Sequence, residues 1–245
     1  MKEVNDIVRW LQEKVKDANA KGLLLGVSGG LDSAVVAYLI KRAFPENSLA
    51  VLLPLYTNEK DLIDANSVIE TCDIDSFTID LTDTHNTLYG TIQEQIKEKN
   101  ELNESMVQLA DANLRARLRM STLYTLAANY NYLVVGTDNQ SEWYTGYFTK
   151  YGDGGVDLQP ILEFTKSETA QLAEILGVPK QVISKKPSAD LWEGQTDELE
   201  MGTSYAHIDD FLKGKSIPEK DEKIIRTMHT RTEHKRHLPP YFKRK

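Results

Sequence analysis

Apolar residues at Val4, Ile7, Val8, Leu11 and Val15 recur three and four apart with charges between them, so the chain opens on an amphipathic helix. The unbroken apolar run over 23–27 predicts a buried strand, and the mainly apolar stretch over 31–40 predicts a helix that ends before Pro45. A second buried strand is predicted over 49–53, closed by Pro54, and a helix over 59–71 with Leu62, Ile63, Ala65, Val68 and Ile69 apolar. A short third strand falls in 75–80. Residues 82–99 keep helical spacing but are polar, and 103–130 reads as one long helix or two broken ones. Leu133-Val134-Val135-Gly136 is the fourth strand.

Strands alternating with helices imply right-handed crossovers. The fold class is therefore α/β: a doubly wound, mostly parallel sheet with helices on both faces, in a single domain over 1–245. Ligands of such sheets sit outside the carboxyl ends of the strands, where strand order reverses. Strand 1 brings Ser28 to that edge, and strand 4 brings Thr137 and Asp138. If the two strands are neighbours, one crevice takes both loops.

The texture changes after strand 4. Residues 147–157 are rich in glycine, aromatics and charge, as loops that cover ligands are. A helix over 167–176 has Ser167 as its expected N-cap and Gly177 just past its end. The polar stretch 185–202 reads as a mobile flap. Short helices follow near 207–213 and 219–229, then a basic tail, 231–245, whose final residues are expected to be solvated.

Composition narrows the function. The net charge of −8 argues against a general nucleic-acid binder, and a single cysteine, Cys72, excludes a disulfide framework and a cysteine-only metal site. Cys72 is expected to be buried and neutral. The opening residues do not read as a signal peptide, and no apolar run approaches a membrane span. The expected place is the cytoplasm, away from membranes.

The candidate chemistry starts at Gly26-Val27-Ser28-Gly29-Gly30-Leu31-Asp32-Ser33. A strand, a glycine turn and a helix start together make an anion site, because free backbone N–H groups and the positive end of the helix dipole face outward. The lysine of the common P-loop is missing. Asp32 stands in the first helical turn instead; a carboxylate suits that position but repels a polyphosphate. A divalent cation held by both removes the conflict, which suggests a nucleotide with Mg²⁺. Glu142, just past strand 4, can join Asp32 around that cation; it also suits a helix cap. Arg115, Arg117 and Arg119 follow one another on a helix. Arg115 and Arg119 share a face and Arg117 points largely away, so the simplest account has two solvated and one directed inward. Lys150 and Lys166 flank the glycine-aromatic loop and can hold phosphates. Asp153 or Asp157 can orient an amine or accept its proton, although Asp-Gly pairs also make turns by themselves.

The Ser28-Gly29-Gly30-Leu31-Asp32-Ser33 string resembles the fingerprint of the ATP pyrophosphatases, which cleave ATP between the α and β phosphates. Further motifs follow in order: Ala116-Arg117-Leu118-Arg119-Met120, Gly136-Thr137-Asp138, Gly146-Tyr147-Phe148-Thr149-Lys150-Tyr151-Gly152-Asp153-Gly154, Lys185-Lys186-Pro187-Ser188-Ala189-Asp190-Leu191 and Glu233-His234-Lys235-Arg236. Together they resemble the ammonia-dependent NAD synthetases over nearly the whole chain, with Ser188 where that family usually has threonine. The resemblance implies an adenine-nucleotide-hydrolase-like fold and ATP on Gly26, Val27, Ser28, Gly29, Gly30, Leu31, Asp32, Ser33, Thr137, Lys166 and Ser188. It further implies Mg²⁺ on Asp32 and Glu142, and deamido-NAD on Arg117, Lys150, Asp157, His234 and Lys235. It implies a homodimer, with the interface expected along the helices of 82–130. The implied reaction is ATP-dependent amidation of deamido-NAD through an acyl adenylate, giving NAD, AMP and pyrophosphate. Asp153 and Lys150 are the candidate catalytic residues, Asp153 as the group that handles ammonia. No glutaminase segment fits in this length, so ammonia is the expected donor. A relative that adenylates a tRNA base is the alternative, favoured by the basic tail and opposed by the overall acidity.

Overall fold

In the computed structural model, which describes residues 1–188 and 196–244, four strands pair in parallel in the order β3-β2-β1-β4. They are β1 (Gly22–Gly26), β2 (Ser48–Leu52), β3 (Asp75–Thr78) and β4 (Tyr132–Val134). The chain runs outward from β1 to β3, then crosses back to lay β4 on the other side of β1, pairing Gly22 with Tyr132, Leu23 with Leu133 and Leu24 with Val134. Strand order thus reverses at β1, and the loop after β1 lies at the switch point. β4 is shorter than the expected 133–136 stretch. Val135 instead makes an isolated parallel bridge to Leu158, and Gly136 N–H donates to Leu158 O at 2.8 Å, so the sheet edge continues into a distant segment.

Alternation along β1 assigns the two faces. Leu23 and Leu25 are buried under α1 (Lys2–Asp17), α2 (Leu31–Ala43), α3 (Glu59–Cys72) and α7 (Lys166–Leu176); Leu24 faces the other way with Leu49, Val51 and Val134, under Leu118, Leu123, Tyr124 and Ala127 of α5 (Val107–Tyr130). Val4, Ile7, Leu11 and Val15 form the buried stripe of α1, as the spacing predicts. α2 is apolar nearly all round because it is enclosed: Ala34, Val35, Val36, Ala37, Leu39 and Ile40 are all inaccessible. The polar α4 (Thr82–Glu98) buries only His85. Residues 103–130 form one long helix preceded by a single 3-10 turn, Glu104–Met106. Cys72 is buried at the end of α3, and burial pushes its thiol up to about 12, so it is neutral as expected.

Beyond the sheet, α6 (Gln140–Thr145) meets α9 (Asp197–Met201), α10 (Tyr205–Leu212) and α11 (Glu219–Arg231) around Met201, Tyr205, Ile208 and Ile225. A one-turn α8 (Lys180–Ile183) follows α7. The start of the basic tail is docked rather than solvated. Glu233–Lys235 make a 3-10 turn, and Arg236 donates to the carbonyls of Trp143 (3.3 Å), Tyr144 (3.2 Å) and His229. Leu238, Tyr241 and Phe242 beyond it are exposed. Residues 189–195 of the expected flap, including Ala189, Asp190 and Leu191, lie outside the described residues. No helix among the described residues is long and apolar enough to cross a membrane.

Candidate active site

The loop after β1 forms the floor of the site. Gly29 holds φ at +78° and packs under α3, so close that a Cβ there would sit 2.5 Å from Asp61 O and 2.9 Å from Ala65 N; no other residue fits without a shift. Ser28 and Ser33 fasten the turn from inside: Ser33 Oγ donates to Gly30 O (3.1 Å) and accepts from Ser28 N–H (3.2 Å), and Ser28 Oγ accepts from Gly30 N–H (3.2 Å). The N–H groups of Leu31, Asp32 and Ser33, in the first turn of α2, find no acceptor among the described residues. These are the donors an anion takes at a helix start.

Two further helix starts face this one. α6 begins with a capping box: Asn139 Oδ1 accepts from Ser141 N–H (2.9 Å) and Glu142 N–H (3.0 Å), and Glu142 Oε2 accepts from Asn139 N–H (3.2 Å). Asn139 Nδ2 also reaches across to Asp32 Oδ1 at 3.0 Å. Glu142 therefore takes the cap role open to it in the sequence. One oxygen caps its helix, and the other, Oε1, turns into the crevice. α7 starts one residue earlier than expected, with Thr165 rather than Ser167 as N-cap and Glu168 closing a second capping box. Thr165-Lys166-Ser167-Glu168 is a readable capping box. Its consequence is that Lys166 becomes the first residue of the helix and leans back over its start.

Lys166 Nζ meets both carboxylates, at 2.5 Å from Asp32 Oδ2 and 3.1 Å from Glu142 Oε1. Its ammonium lies 4.8 Å from the centre of the Tyr205 ring, and Tyr205 Oη lies 3.1 Å from Glu142 Oε1 and 3.0 Å from Asp197 Oδ2. Burial raises the Glu142 carboxyl to about 7 against the opposing pull of Lys166. Asp32 first and Glu142 next hold the Lys166 ammonium above its ordinary range, over the opposing effect of burial, whereas burial first, then Glu142 and Asp197, raise the Tyr205 phenol. Asp209 ties the starts of α6 and α7 together, accepting from Ser141 Oγ (2.6 Å) and Ser167 N–H (2.8 Å). Sequence reasoning missed Tyr205 and Asp209, which sit in an ordinary amphipathic helix with no local signal.

Asp32, Glu142, Lys166 and Asp197 line a cavity of about 730 Å³. Its wall includes Gly26, Val27, Ser28, Gly30, Leu31, Asp32, Ser33, Thr137, Glu142, Lys166, Ser188, Asp153 and Lys235. Gly29 lies behind the floor. Asp138 is buried beside it, accepting from Gln159 Nε2 at 3.1 Å; burial first, then Asp153 and Glu142, raise its carboxyl well above the carboxylate range. Asp153 is open to the water of the cavity yet crowded by protein, and that crowding raises its carboxyl too, although Thr149 N–H donates to it at 2.8 Å.

The remaining predicted contacts lie elsewhere. Arg117, Lys150, Asp157 and His234 are not in the cavity wall. Arg117 is exposed and donates to Lys150 O (3.3 Å), and Lys150 Nζ donates to His234 O (2.5 Å), so these three form a rim cluster. Asp157 is held at the end of the sheet by Val134 N–H (2.8 Å) and Tyr124 Oη (3.0 Å). Lys235 donates to Gly146 O (2.8 Å) and Phe148 O (2.6 Å). The arginine arrangement is the reverse of the expected one. Arg115 pairs with Asp111 and covers the Tyr56 ring, Arg119 donates to Leu53 O (3.1 Å) inside the cavity wall, and Arg117 alone is solvated. The reason is that α5 lies flat on the sheet, so the face shared by positions 115 and 119 is the inner one. Burial and Arg115 lower the Arg119 guanidinium to about 10, still charged at neutral pH.

Residues 3–239 match the NAD synthase family. The chain is 57% identical to the NH(3)-dependent NAD(+) synthetase of Alkaliphilus oremlandii, over 98% of this chain and 96% of that one. Among solved structures, an NMN synthetase from Francisella tularensis superposes with a TM-score of 0.91 at 39% identity, covering 98% of this chain and 97% of that one. The NH3-dependent NAD synthetase of Campylobacter jejuni superposes at 0.80 with 29% identity, covering 99% and 98%.

Proposed function

We propose, for a chain that belongs to the NAD synthase family, that the crevice joins ammonia to the nicotinate carboxyl of deamido-NAD, using ATP and giving NAD, AMP and pyrophosphate. The observation that carries this reading is the meeting of three helix starts at the sheet's switch point: free N–H groups from one, Glu142 from the second and Lys166 from the third.

The floor of the crevice takes the ATP phosphates on the backbone of 26–33, with Thr137, Lys166 and Ser188 around them. Asp32 and Glu142 are the pair that would hold Mg²⁺. They fit it, because a cationic ammonium already bridges them and their remaining oxygens are fixed by Asn139; the ion would supply charge neutralisation of the leaving pyrophosphate. A carboxylate oxygen of the acceptor attacks the α-phosphorus, and the bond to the β-phosphate oxygen breaks. Ammonia then attacks the acyl carbon, AMP leaves with the bonding pair, and a proton passes from nitrogen. Asp153 is our candidate to receive it: it lines the cavity, and burial raises its carboxyl above the ordinary carboxylate range, which makes it a better proton acceptor than an unperturbed aspartate. Lys150, with Arg117, His234 and Lys235, would hold the acceptor at the rim. Asp157, fixed by backbone and Tyr124, would act there by keeping the end of β4 in place.

Leu88 and Ile92, i and i+4 on α4, are exposed, as is Met106 just before α5, and uncovered apolar side chains on these helices support a homodimer. We take the chain as one domain working in the cytoplasm, with ammonia as its direct nitrogen source. The test is mass detection of NAD and AMP from deamido-NAD, ATP and ammonium chloride; glutamine in place of ammonium should give little product.

One observation favours a second acceptor. The superposition on the Francisella NMN synthetase is tighter than that on the Campylobacter NAD synthetase. Nicotinate mononucleotide should therefore be assayed beside deamido-NAD. A higher kcat/KM for the mononucleotide would move the assignment to NMN formation by the same adenylation chemistry.

A further inference from the structure

Lys166 stands where a shared cation would stand. Its Nζ is 2.5 Å from Asp32 Oδ2 and 3.1 Å from Glu142 Oε1, with the three side chains only 11, 14 and 14% exposed. Neither carboxylate is free to turn. Asn139 Nδ2 holds Asp32 Oδ1 at 3.0 Å, and Asn139 N–H holds Glu142 Oε2 at 3.2 Å. The two oxygens left to face each other are those the ammonium takes. A divalent ion that seeks oxygen ligands needs the same two. Two cations cannot share so small and enclosed a space without strong repulsion.

The lysine has somewhere else to go. It lies at the first position of α7, on a flexible four-carbon stem, and lines the same cavity as Ser28, Gly30 and the first turn of α2. Phosphates seated on those N–H groups would offer the ammonium a stronger partner than the carboxylates, with no change in the backbone.

We propose that Lys166 closes the Asp32–Glu142 pair to free divalent cations and opens it only when nucleotide phosphates draw its ammonium away, so that cation and nucleotide are taken up together. The proposal rests on the reading of Asp32 and Glu142 as the cation pair.

The experiment uses Mn²⁺ as the probe, with free Mn²⁺ followed by electron paramagnetic resonance in titrations of the intact protein, with and without ATP, and corrected for Mn²⁺ bound by ATP alone. The unaltered protein should bind Mn²⁺ at least tenfold more tightly with ATP than without. Lys166→Gln, its fold checked by thermal melting, should bind Mn²⁺ without nucleotide at least tenfold more tightly than the unaltered protein does. Equally tight binding by the unaltered protein with and without ATP overturns the proposal, whether or not the variant folds. So does a folded variant that gains no affinity. Failure of the cation-pair reading looks different: no protein-bound Mn²⁺ even with ATP, or binding that Asp32→Asn leaves unchanged.

Discussion

The two walls of the crevice are built on different principles. The wall proposed for the nucleotide is an assembly of helix starts, each written into a few consecutive residues: the Ser-Gly-Gly turn before α2, Asn139 to Glu142 before α6, and Thr165 to Glu168 before α7. The rim proposed for the acceptor joins three distant segments through backbone carbonyls: Arg117 reaches Lys150 O, and Lys150 Nζ reaches His234 O. Charges on the first wall are enclosed and mutually paired. Those on the second are more open: Arg117 is exposed, and the half-buried Lys150 is held by His234 O and the Tyr151 ring, with no carboxylate partner among the described residues. Enclosed charges are costly to disturb and exposed ones are not, so the walls should respond differently to substitution.

The largest effect should come from the nucleotide wall. Asp32→Asn removes one charge of the proposed cation pair and leaves Lys166 with Glu142 alone, so kcat/KM should fall by at least about 100-fold, the upper end for losing even an outer partner of a metal site; steady-state NAD formation measures it. Gly29→Ala should lower the unfolding free energy by more than ~1–2 kcal/mol, the cost of a left-handed side-chain residue alone, because its Cβ would press on Asp61 O and Ala65 N. Denaturant melts give that number, and a neutral result would show that α3 does not seat the loop.

The pH response sharpens the same contrast. Glu142 is raised from 4.5 to about 7 on folding, so between those values the folded chain holds more protons than the unfolded one, and this group's contribution falls as pH rises through that window. Glu142→Gln cannot ionise. Its melting temperature relative to the unaltered protein should therefore rise from pH 5 to pH 8, and a constant difference would count against burial as the cause. Thr165→Ala should cost about 1 kcal/mol, the usual effect of losing a cap, and should loosen ATP binding through Lys166. Smallest is Arg117→Ala. Stability should stay within about 0.5 kcal/mol while the KM for the acceptor rises and that for ATP stays put. A matching rise in both would erase the division between the walls.

The anion loop was readable because a strand, two glycines and a helix start are consecutive, and backbone geometry at that range depends on little else. The cap of α7 is Thr165 and not the expected Ser167, although the signal is local: Glu168, three residues on from Thr165, closes the capping box. The arginines of α5 were read the wrong way round, because spacing says which residues share a face but not which face meets the sheet. Tyr205 and Asp209 gave no signal, since their partners in α6, Glu142 and Ser141, are 63 and 68 residues away in sequence.

By itself the sequence determined the alternation of strands and helices, the apolar stripes that set the sheet's two faces, and the backbone anion loop with its carboxylate. These are properties of neighbouring residues, governed by periodicity, φ preference and capping. Only the tertiary structure decided that Lys166 sits between Asp32 and Glu142, that Asp209 locks two helix starts together, and that Arg117 is the one arginine left in water. Each of those depends on how separate elements dock, and docking is set by the summed burial of side chains from the whole chain, which no short stretch contains.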